Sequence, residues 1–531
     1  MPLPAPTTRG EALAPALRSI TAPDRVSITP TDRLAYARDL WPRGLLGLAA
    51  GDLGAHPPDA VVWPETVEEV QAIVRLAIAE RVPIVPYGAG SGVCGGTLAL
   101  GGGLVVDVKR MRRLVEIDPA SLTATFDAGW IGEHLEHELE RRGFTLGHFP
   151  SSIMCSTLGG WLAARSAGQC SSRYGKIEDM VRSVELVDGR AEVIDTAREP
   201  DGEHLAQLLV GSEGTLGIFT RARLQIRPAP EARHLRGFAV PRVAAGCEAI
   251  RRVMQRGLRP AVVRLYDELD TLMALGIHAT SDAEPPPAPA PEGAALDRWI
   301  DEFGGREGRR ALGAIRRAVV GAALSHPRVL NRAVDAVLGR VGRGCLLVIG
   351  VEGDARLAEA EANATFREIE AAGGRDLGPG PGEHWLRHRY DVSFKLSRVF
   401  EAGAFGDTME VAVSWDRLMD LYRTVREAVA PHAFIMAHFS HAYPDGCSIY
   451  FTFAAAAPTE PGEAERRYDA VWRAALTAAT SVGATISHHH GVGLSKAAFM
   501  PSEHGESMAI LRALKEALDP HHVFNPGKLG L

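Results

Sequence analysis

The chain has 531 residues, of which 46% are hydrophobic and 23% charged, and a formal net charge of −7. That length calls for more than one domain, the composition is ordinary for a globular protein, and the negative balance leaves no electrostatic footprint for nucleic acid. Six cysteines without a C-x-x-C pair exclude a disulfide scaffold and point to a reducing compartment, and no run reaches the ~18 apolar residues of a membrane-spanning helix.

The start, Met1-Pro-Leu-Pro-Ala-Pro, lacks a basic region followed by an apolar core, so no signal peptide is expected. The terminal Gly527-Lys-Leu-Gly-Leu531 is not a peroxisomal address, and a cytoplasmic location is the expectation. Helix-like material around Asp32 to Leu46 is assigned to an N-terminal extension, residues 1–56. A clearer helix opens after Thr66, which suits an N-cap, with Glu68 and Glu69 in the first turn and Val67, Val70, Ile73 and Val74 on one face.

The next stretch, Pro83 to Gly96, joins two apolar strand-like runs through five glycines. Glycines there let several backbone N–H groups aim at one anion, as a pyrophosphate requires. Gly88, Gly90 and Gly92 are evenly spaced, so this is neither the G-x-G-x-x-G dinucleotide pattern nor a P-loop. Two more glycine-rich loops follow, Thr157 to Gly168 and Val210 to Ile218. Strands and helices alternate as far as Arg227-Pro-Ala-Pro230, which reads as a linker closing a region 57–230.

Residues 231–480 read as an α+β cap. Its strand candidates are Val262 to Tyr266, Cys345 to Val351 and Ser448 to Phe453, and its helix candidates Ala358 to Glu370 and Trp415 to Val429. Residues 281–294 are Pro/Ala-rich and of low complexity. The stretch 309–343 sets Arg310, Arg316, Arg317, Arg328, Arg332 and Arg340 among aliphatic residues, which suits either a solvated face of the cap or peripheral contact with an anionic membrane, and Pro327 is expected to divide it into two helices. The C-terminal segment, 481–531, ends in a helix over Ile510 to Leu518 and a proline-bounded turn.

Two segments carry side chains suited to chemistry. Ser487-His-His-His-Gly491 holds three imidazoles, which can bind a metal or an oxyanion or move a proton. In an extended segment three consecutive residues cannot face one point, so one or two of His488, His489 and His490 are expected to be functional and one structural. In Ala437 to Phe453 a turn at Pro444-Asp-Gly446 feeds a strand on which Tyr450 points away from Phe451.

The three glycine loops in this order resemble the FAD-binding domain of the vanillyl-alcohol oxidase/p-cresol methylhydroxylase (PCMH) superfamily. The resemblance implies a two-subdomain FAD-binding domain with an α+β cap built on an antiparallel sheet. It puts the pyrophosphate on the 83–96 loop and the isoalloxazine and adenine-ribose along the other two. The residues it assigns to the cofactor are Pro86, Tyr87, Gly88, Ala89, Gly90, Ser91, Gly92, Ser156, Thr157, Gly159, Gly160, Ala163, Ser166, Gly211, Glu213, Gly214, Gly217 and Ile218. No histidine lies in 83–96, so noncovalent FAD is expected.

From about Pro57 onward the chain is similar to the alkylglycerone-phosphate synthases, on motifs including Tyr174-Gly-Lys-Ile-Glu-Asp179, Gly211-Ser-Glu-Gly-Thr-Leu-Gly217, Ser448-Ile-Tyr-Phe451 and Ser487-His-His-His-Gly-Val-Gly493. That resemblance implies a base at Tyr450, substrate-handling imidazoles at His488, His489, His490 and His148, and a substrate-binding arginine at Arg264. It implies exchange of an acyl group for a fatty alcohol through an adduct at flavin N5, with no net redox change and no metal. A tyrosine base needs its pKa lowered by about three units from 10, roughly 4 kcal/mol, and nearby cationic His or Arg would supply part of that. One departure matters: His438 stands where those enzymes place a phosphate-binding arginine. His438-Phe-Ser-His441 is also similar to the D-2-hydroxyacid dehydrogenases of the superfamily, in which histidines hold a metal, although Tyr450 replaces one of them. His438 and His441 are therefore assigned to substrate, with small-molecule or lipid chemistry expected, no nucleic acid, and a homodimer left open.

Overall fold

The computed structural model describes residues 6–49, 56–271, 324–341, 344–391, 396–401 and 403–531. The low-complexity run 281–294 and residues 309–323 and 342–343 of the basic stretch lie outside them. The described remainder of that stretch includes one helix, Pro327–Val341, which begins at the proline instead of being broken by it.

Among the described residues there are four sheets, one of them a two-stranded pairing of Phe144–Thr145 with Arg227–Pro228, and the other three organise the fold. In the first, Ala60–Val62, Leu104–Asp107 and Ile84–Tyr87 run parallel, with Val26–Ser27 antiparallel at the edge. These strands are apolar on both faces, as parallel strands covered on two sides must be. The covering helix Val67–Glu80 buries Val70, Ile73, Val74 and Ala77, and the Thr66 hydroxyl accepts from Glu69 N–H as its cap, worth about 1 kcal/mol. The expected N-terminal helix over Asp32 to Leu46 is instead two short helices, Pro30–Ala35 and Pro42–Ala49, because Pro42 cannot continue a helix and starts a new one.

The second sheet is antiparallel and five-stranded, in the order Leu114–Asp118, Thr123–Asp127, Gly217–Gln225, Val181–Asp188, Val193–Asp195. The third is antiparallel and seven-stranded: Arg375–Asp376, Ala232–Val240, Cys345–Gly353, Val262–Tyr266, Phe434–Ala442, Gly446–Ala456, Ala404–Ser414. Leu265, Phe439, Phe451, Phe453, Met409 and Val411 are buried in one core with residues of the helices Val243–Gln255, Leu418–Val429 and Glu463–Ser481. Each of those phenylalanines contributes roughly 2 kcal/mol by leaving water. On the sheet's other face Val262, Leu346 and Val348 are buried in a second core with residues of the five-stranded sheet, and polar residues share that face.

The chain end returns to the first sheet. Ile84 N–H donates to Val523 O at 2.6 Å and Asn525 N–H to Ile84 O at 2.8 Å, so the last residues flank the strand that enters the first glycine loop.

Candidate active site

The three glycine loops converge. A Cβ on Gly88 would lie 2.2 Å from Thr157 Oγ1, and one on Gly214 would lie 2.9 Å from the Pro86 ring, so the first loop is wedged between the other two. Thr157 caps the helix Leu158–Ala164 through Gly160 N–H, Trp161 Nε1 donates to Ser156 Oγ, and Gly159 N–H donates to Ala128 O. Ala163 O accepts from Glu213 N–H, and Leu162 O from Gly211 N–H. Gly217 opens the strand whose Ile218 is buried in the core. Among the described hydrogen bonds, the amides of Ala89, Gly90 and Ser91 donate to no protein group. A run of unused amides on a loop with no room for side chains fits a dinucleotide pyrophosphate.

The carboxylate of Glu213, a residue assigned to the cofactor, is engaged within the protein. It accepts from Val492 N–H at 2.5 Å and Gly493 N–H at 2.7 Å, and burial pushes its pKa up. It therefore clamps the end of the histidine segment onto the flavin loops. Gly493, at φ 52°, comes so close to Cys94 that a Cβ would lie 2.2 Å from its carbonyl oxygen.

The polar face of the cap sheet supplies the rest. Arg264↔Ser440, Tyr266↔His438, His438↔Tyr450 and Glu410↔Tyr450 are cross-strand partners, so their side chains share one side. Tyr450 stacks on His438 with ring centroids 4.7 Å apart. His489 lies near-parallel to Tyr450 at 6.2 Å and His490 edge-on at 5.4 Å.

His438 does not stand in for a phosphate-binding arginine. Its Nε2 lies 2.8 Å from Arg264 Nη2, which can only donate, so Nε2 accepts. The ring proton is then on Nδ1, 3.2 Å from Asp270 Oδ2. Both nitrogens are engaged, and burial and the nearby guanidinium hold the imidazole well below its ordinary pKa. Arg264 itself has its Nε buried without a partner and pairs with no carboxylate among the described ion pairs.

The histidine segment is a turn, which overturns the expectation that the triplet is extended. The amides of His488, His489 and His490 all converge on Glu410 Oε1, at 3.2, 3.1 and 2.7 Å, and Ser487 Oγ donates to the same atom at 2.6 Å. Glu410 Oε2 receives Lys496 Nζ at 2.9 Å, with both side chains fully buried. Bent around this carboxylate, all three imidazoles reach the site: His488 against Tyr443, His489 against His441, His490 against Tyr450. His441 accepts or donates at Nδ1 with Ser171 Oγ, 2.7 Å away.

Among the described contacts His148 meets none of these rings. It packs on Trp161 at 4.6 Å, its Nε2 lies 3.2 Å from Ser166 Oγ, and burial drives its pKa to about 3. Burial also lowers the pKa of His441, His488, His489 and His490, so they are neutral. Neutral imidazoles bring no positive charge to lower the pKa of Tyr450. Burial pushes that phenol up to about 12, against hydrogen bonding from Thr408 and the charge of Arg264. Of the cationic His or Arg expected to lower that pKa, Arg264 supplies a charge, and the histidines, neutral in the resting site, do not.

Sequence reading missed Glu410, Lys496, Thr408, Asp270 and Ser171. The available signal was the alternation Met409, Val411, Val413 in Ala404–Ser414, which marks a strand and puts Glu410 on its opposite face.

The family described as "FAD linked oxidases, C-terminal domain" matches residues 229–529. The chain belongs to the FAD-linked oxidases. A family described as "FAD binding domain" matches residues 58–197. An alkyldihydroxyacetonephosphate synthase of Dictyostelium discoideum is 28% identical over 97% of this chain and 80% of its own. The glycolate oxidase subunit GlcD of Bacillus subtilis is 26% identical over 97% of this chain and 95% of its own. A solved alkyldihydroxyacetonephosphate synthase superposes with a TM-score of 0.74 at 24% identity, covering 99% of this chain and 86% of that one. The FAD-linked oxidase fold is of the PCMH type, the protein is an FAD-dependent enzyme acting on small molecules, and its cofactor is FAD. Among the described residues no helix is long and apolar enough to cross a membrane.

Proposed function

We propose that this FAD-dependent enzyme exchanges the acyl group of an acyl-dihydroxyacetone phosphate for a fatty alcohol, in the manner of an alkylglycerone-phosphate synthase. The observation that carries this reading is the setting of Tyr450, a phenol stacked on His438 and approached by His489 and His490. Removing a proton from a carbon beside a ketone calls for such a base in a site that excludes water. Oxidised flavin, when bound, supplies the electron sink for the resulting carbanion. Thr408 and Arg264 both favour the phenolate, and Arg264 Nε is free to bind the substrate's anionic group. The neutral imidazoles handle oxygen atoms, donating to the departing carboxylate and accepting from the entering alcohol. Since both substrates are amphiphiles, the helix Pro327–Val341, which exposes Val329 while Asn331 anchors it to Ala433 O, would meet a lipid surface.

A second reading, a D-2-hydroxyacid dehydrogenase or oxidase, is favoured by the near-complete coverage of the GlcD relative. Against it, both nitrogens of His438 are already engaged. One experiment separates the two. Incubation with acyl-dihydroxyacetone phosphate and a labelled long-chain alcohol, without an electron acceptor, should yield labelled ether and free fatty acid. Anaerobic bleaching of the flavin by a D-2-hydroxy acid, with no ether formed, would instead establish the dehydrogenase.

A further inference from the structure

Five side chains, two of them from the triplet, form an unbroken hydrogen-bonded chain. His441 Nδ1 lies 2.7 Å from Ser171 Oγ, Ser171 Oγ lies 3.2 Å from Tyr443 OH, Tyr443 OH lies 3.2 Å from His488 Nε2, and His488 Nδ1 lies 3.0 Å from His489 Nδ1. The chain curls back on itself, so that the terminal rings, His441 and His489, are only 4.8 Å apart. Among the described hydrogen bonds, the Nε2 atoms of these two rings bond to no protein group.

The proton count of such a chain is restrictive. Each hydroxyl has one proton to donate, and each imidazole, neutral here, has one N–H and one lone pair. If Tyr443 donates to His488, Ser171 must donate to Tyr443 and His441 Nδ1–H to Ser171, while His488 Nδ1–H donates to His489. His441 then shows a bare Nε2 and His489 an Nε2–H. If Tyr443 donates the other way, every bond reverses, and His441 shows Nε2–H while His489 shows the bare nitrogen. A third arrangement, in which Tyr443 or Ser171 accepts both of its bonds, also keeps all four, but it turns that hydroxyl proton away from every described protein acceptor and so leaves a donor unpaired.

We propose that His441 and His489 are a tautomerically coupled pair that presents one donor and one acceptor to the site whenever both hydroxyl protons lie within the chain, with Tyr443 and Ser171 as the positioning residues that enforce the coupling. This rests on the exchange reading above, and it suits that chemistry. One imidazole gives its Nε2 proton to the leaving carboxylate oxygen as the C–O bond breaks. The other takes the hydroxyl proton of the incoming alcohol as the new C–O bond forms. The proton lost on one side equals the proton gained on the other, and reversal of the chain neutralises both rings without net transfer to solvent, leaving the pair in the opposite of its two arrangements. Cooperative polarisation along the chain favours the two concerted arrangements over broken ones.

The test reads tautomers directly. In flavin-loaded protein carrying 15N-labelled histidine, the fraction of His441 protonated at Nδ1 should equal the fraction of His489 protonated at Nε2. Tyr443→Phe, which keeps the ring and removes the hydroxyl, should destroy that equality, as should Ser171→Ala. Both variants should lower kcat of exchange about 10- to 100-fold with KM within about threefold. Like tautomers on the two histidines in the unmodified protein, or an unchanged equality in both variants, would overturn the coupling. A lack of alcohol exchange by the unmodified protein would overturn the reaction assignment and leave the tautomer result standing by itself.

Discussion

Glu410 and Tyr450 face each other across neighbouring strands, and Glu410 also gathers the three amides of the histidine triplet. One cross-strand pair therefore sets the distance between the phenol and the imidazoles. The carboxylate is kept ionised by Lys496 and the converging donors, which outweigh its burial. Glu410→Ala would leave the Lys496 ammonium buried and unpaired, so a loss of about 3–5 kcal/mol is expected in urea unfolding. Glu410→Gln combined with Lys496→Met removes both charges and should recover most of it. A Glu410→Ala protein within 1 kcal/mol of the parent would show that the pair does not organise the site.

Tyr450→Phe should keep its flavin spectrum and lose turnover by about 10²- to 10⁴-fold. Because the resting phenol sits near 12, kcat/KM should climb with pH from 7 to 9 without a plateau. A plateau below pH 8, or a variant of near-normal activity, would remove Tyr450 as the base.

Arg264 combines an unpaired Nε with a hydrogen bond that His438 accepts. Arg264→Met should raise KM for the phosphate-bearing substrate about 10- to 100-fold, the value of one charged hydrogen bond, with a smaller effect on kcat. His438→Phe keeps the stack on Tyr450 and should weaken substrate binding less than Arg264→Met. Equal losses in the two variants would mean that His438 meets the substrate itself.

The glycine loops, the Tyr450 strand and the triplet were legible because each is local: a spacing, an alternation, a run. Glu410, Asp270 and Ser171 were not, because each acts on residues far along the chain, from a strand or from a helical turn with no motif of its own. The triplet was misread as extended for the same reason. Its turn is imposed by a carboxylate some 80 positions earlier in the chain, at Glu410. The protonation states were also out of reach, since burial, which sequence does not count, decides that the imidazoles are neutral and the phenol is protonated.

Acid should unfold this protein steeply. His148 is held to about 3 by burial, and His438, His441, His488 and His489 are held well below their ordinary value. Below about pH 6.5 the unfolded chain takes up protons that the folded chain refuses, so this stabilisation is complete above 6.5 and is lost as pH falls. Each such histidine costs up to about 1.4 kcal/mol per pH unit. Urea midpoints at pH 7 and pH 5 should differ markedly, and His148→Phe should flatten that difference by one proton's worth. A midpoint independent of pH over this range would mean that the imidazoles become protonated in the folded protein.

The chain end should control flavin retention. Asn525 Nδ2 donates to Gly96 O at 2.9 Å and to Glu213 O at 2.7 Å, tying the first glycine loop to the third. Lys528 Nζ, fully buried, donates to Leu98 O at 2.8 Å, and burial lowers its pKa to about 8. Neither residue reaches the polar face of the cap, so their loss should act on the cofactor and not on the chemistry. Asn525→Ala strips two buried carbonyls of their donor, at a cost of about 1–3 kcal/mol, and should weaken FAD binding about 10-fold or more. The ratio of flavin to protein absorbance after gel filtration measures this directly. Turnover per bound flavin should stay within about twofold of the parent. An Asn525→Ala protein that retains full flavin, or one whose remaining flavin turns over much more slowly, would show that the tail does not act by closing the loops around the cofactor.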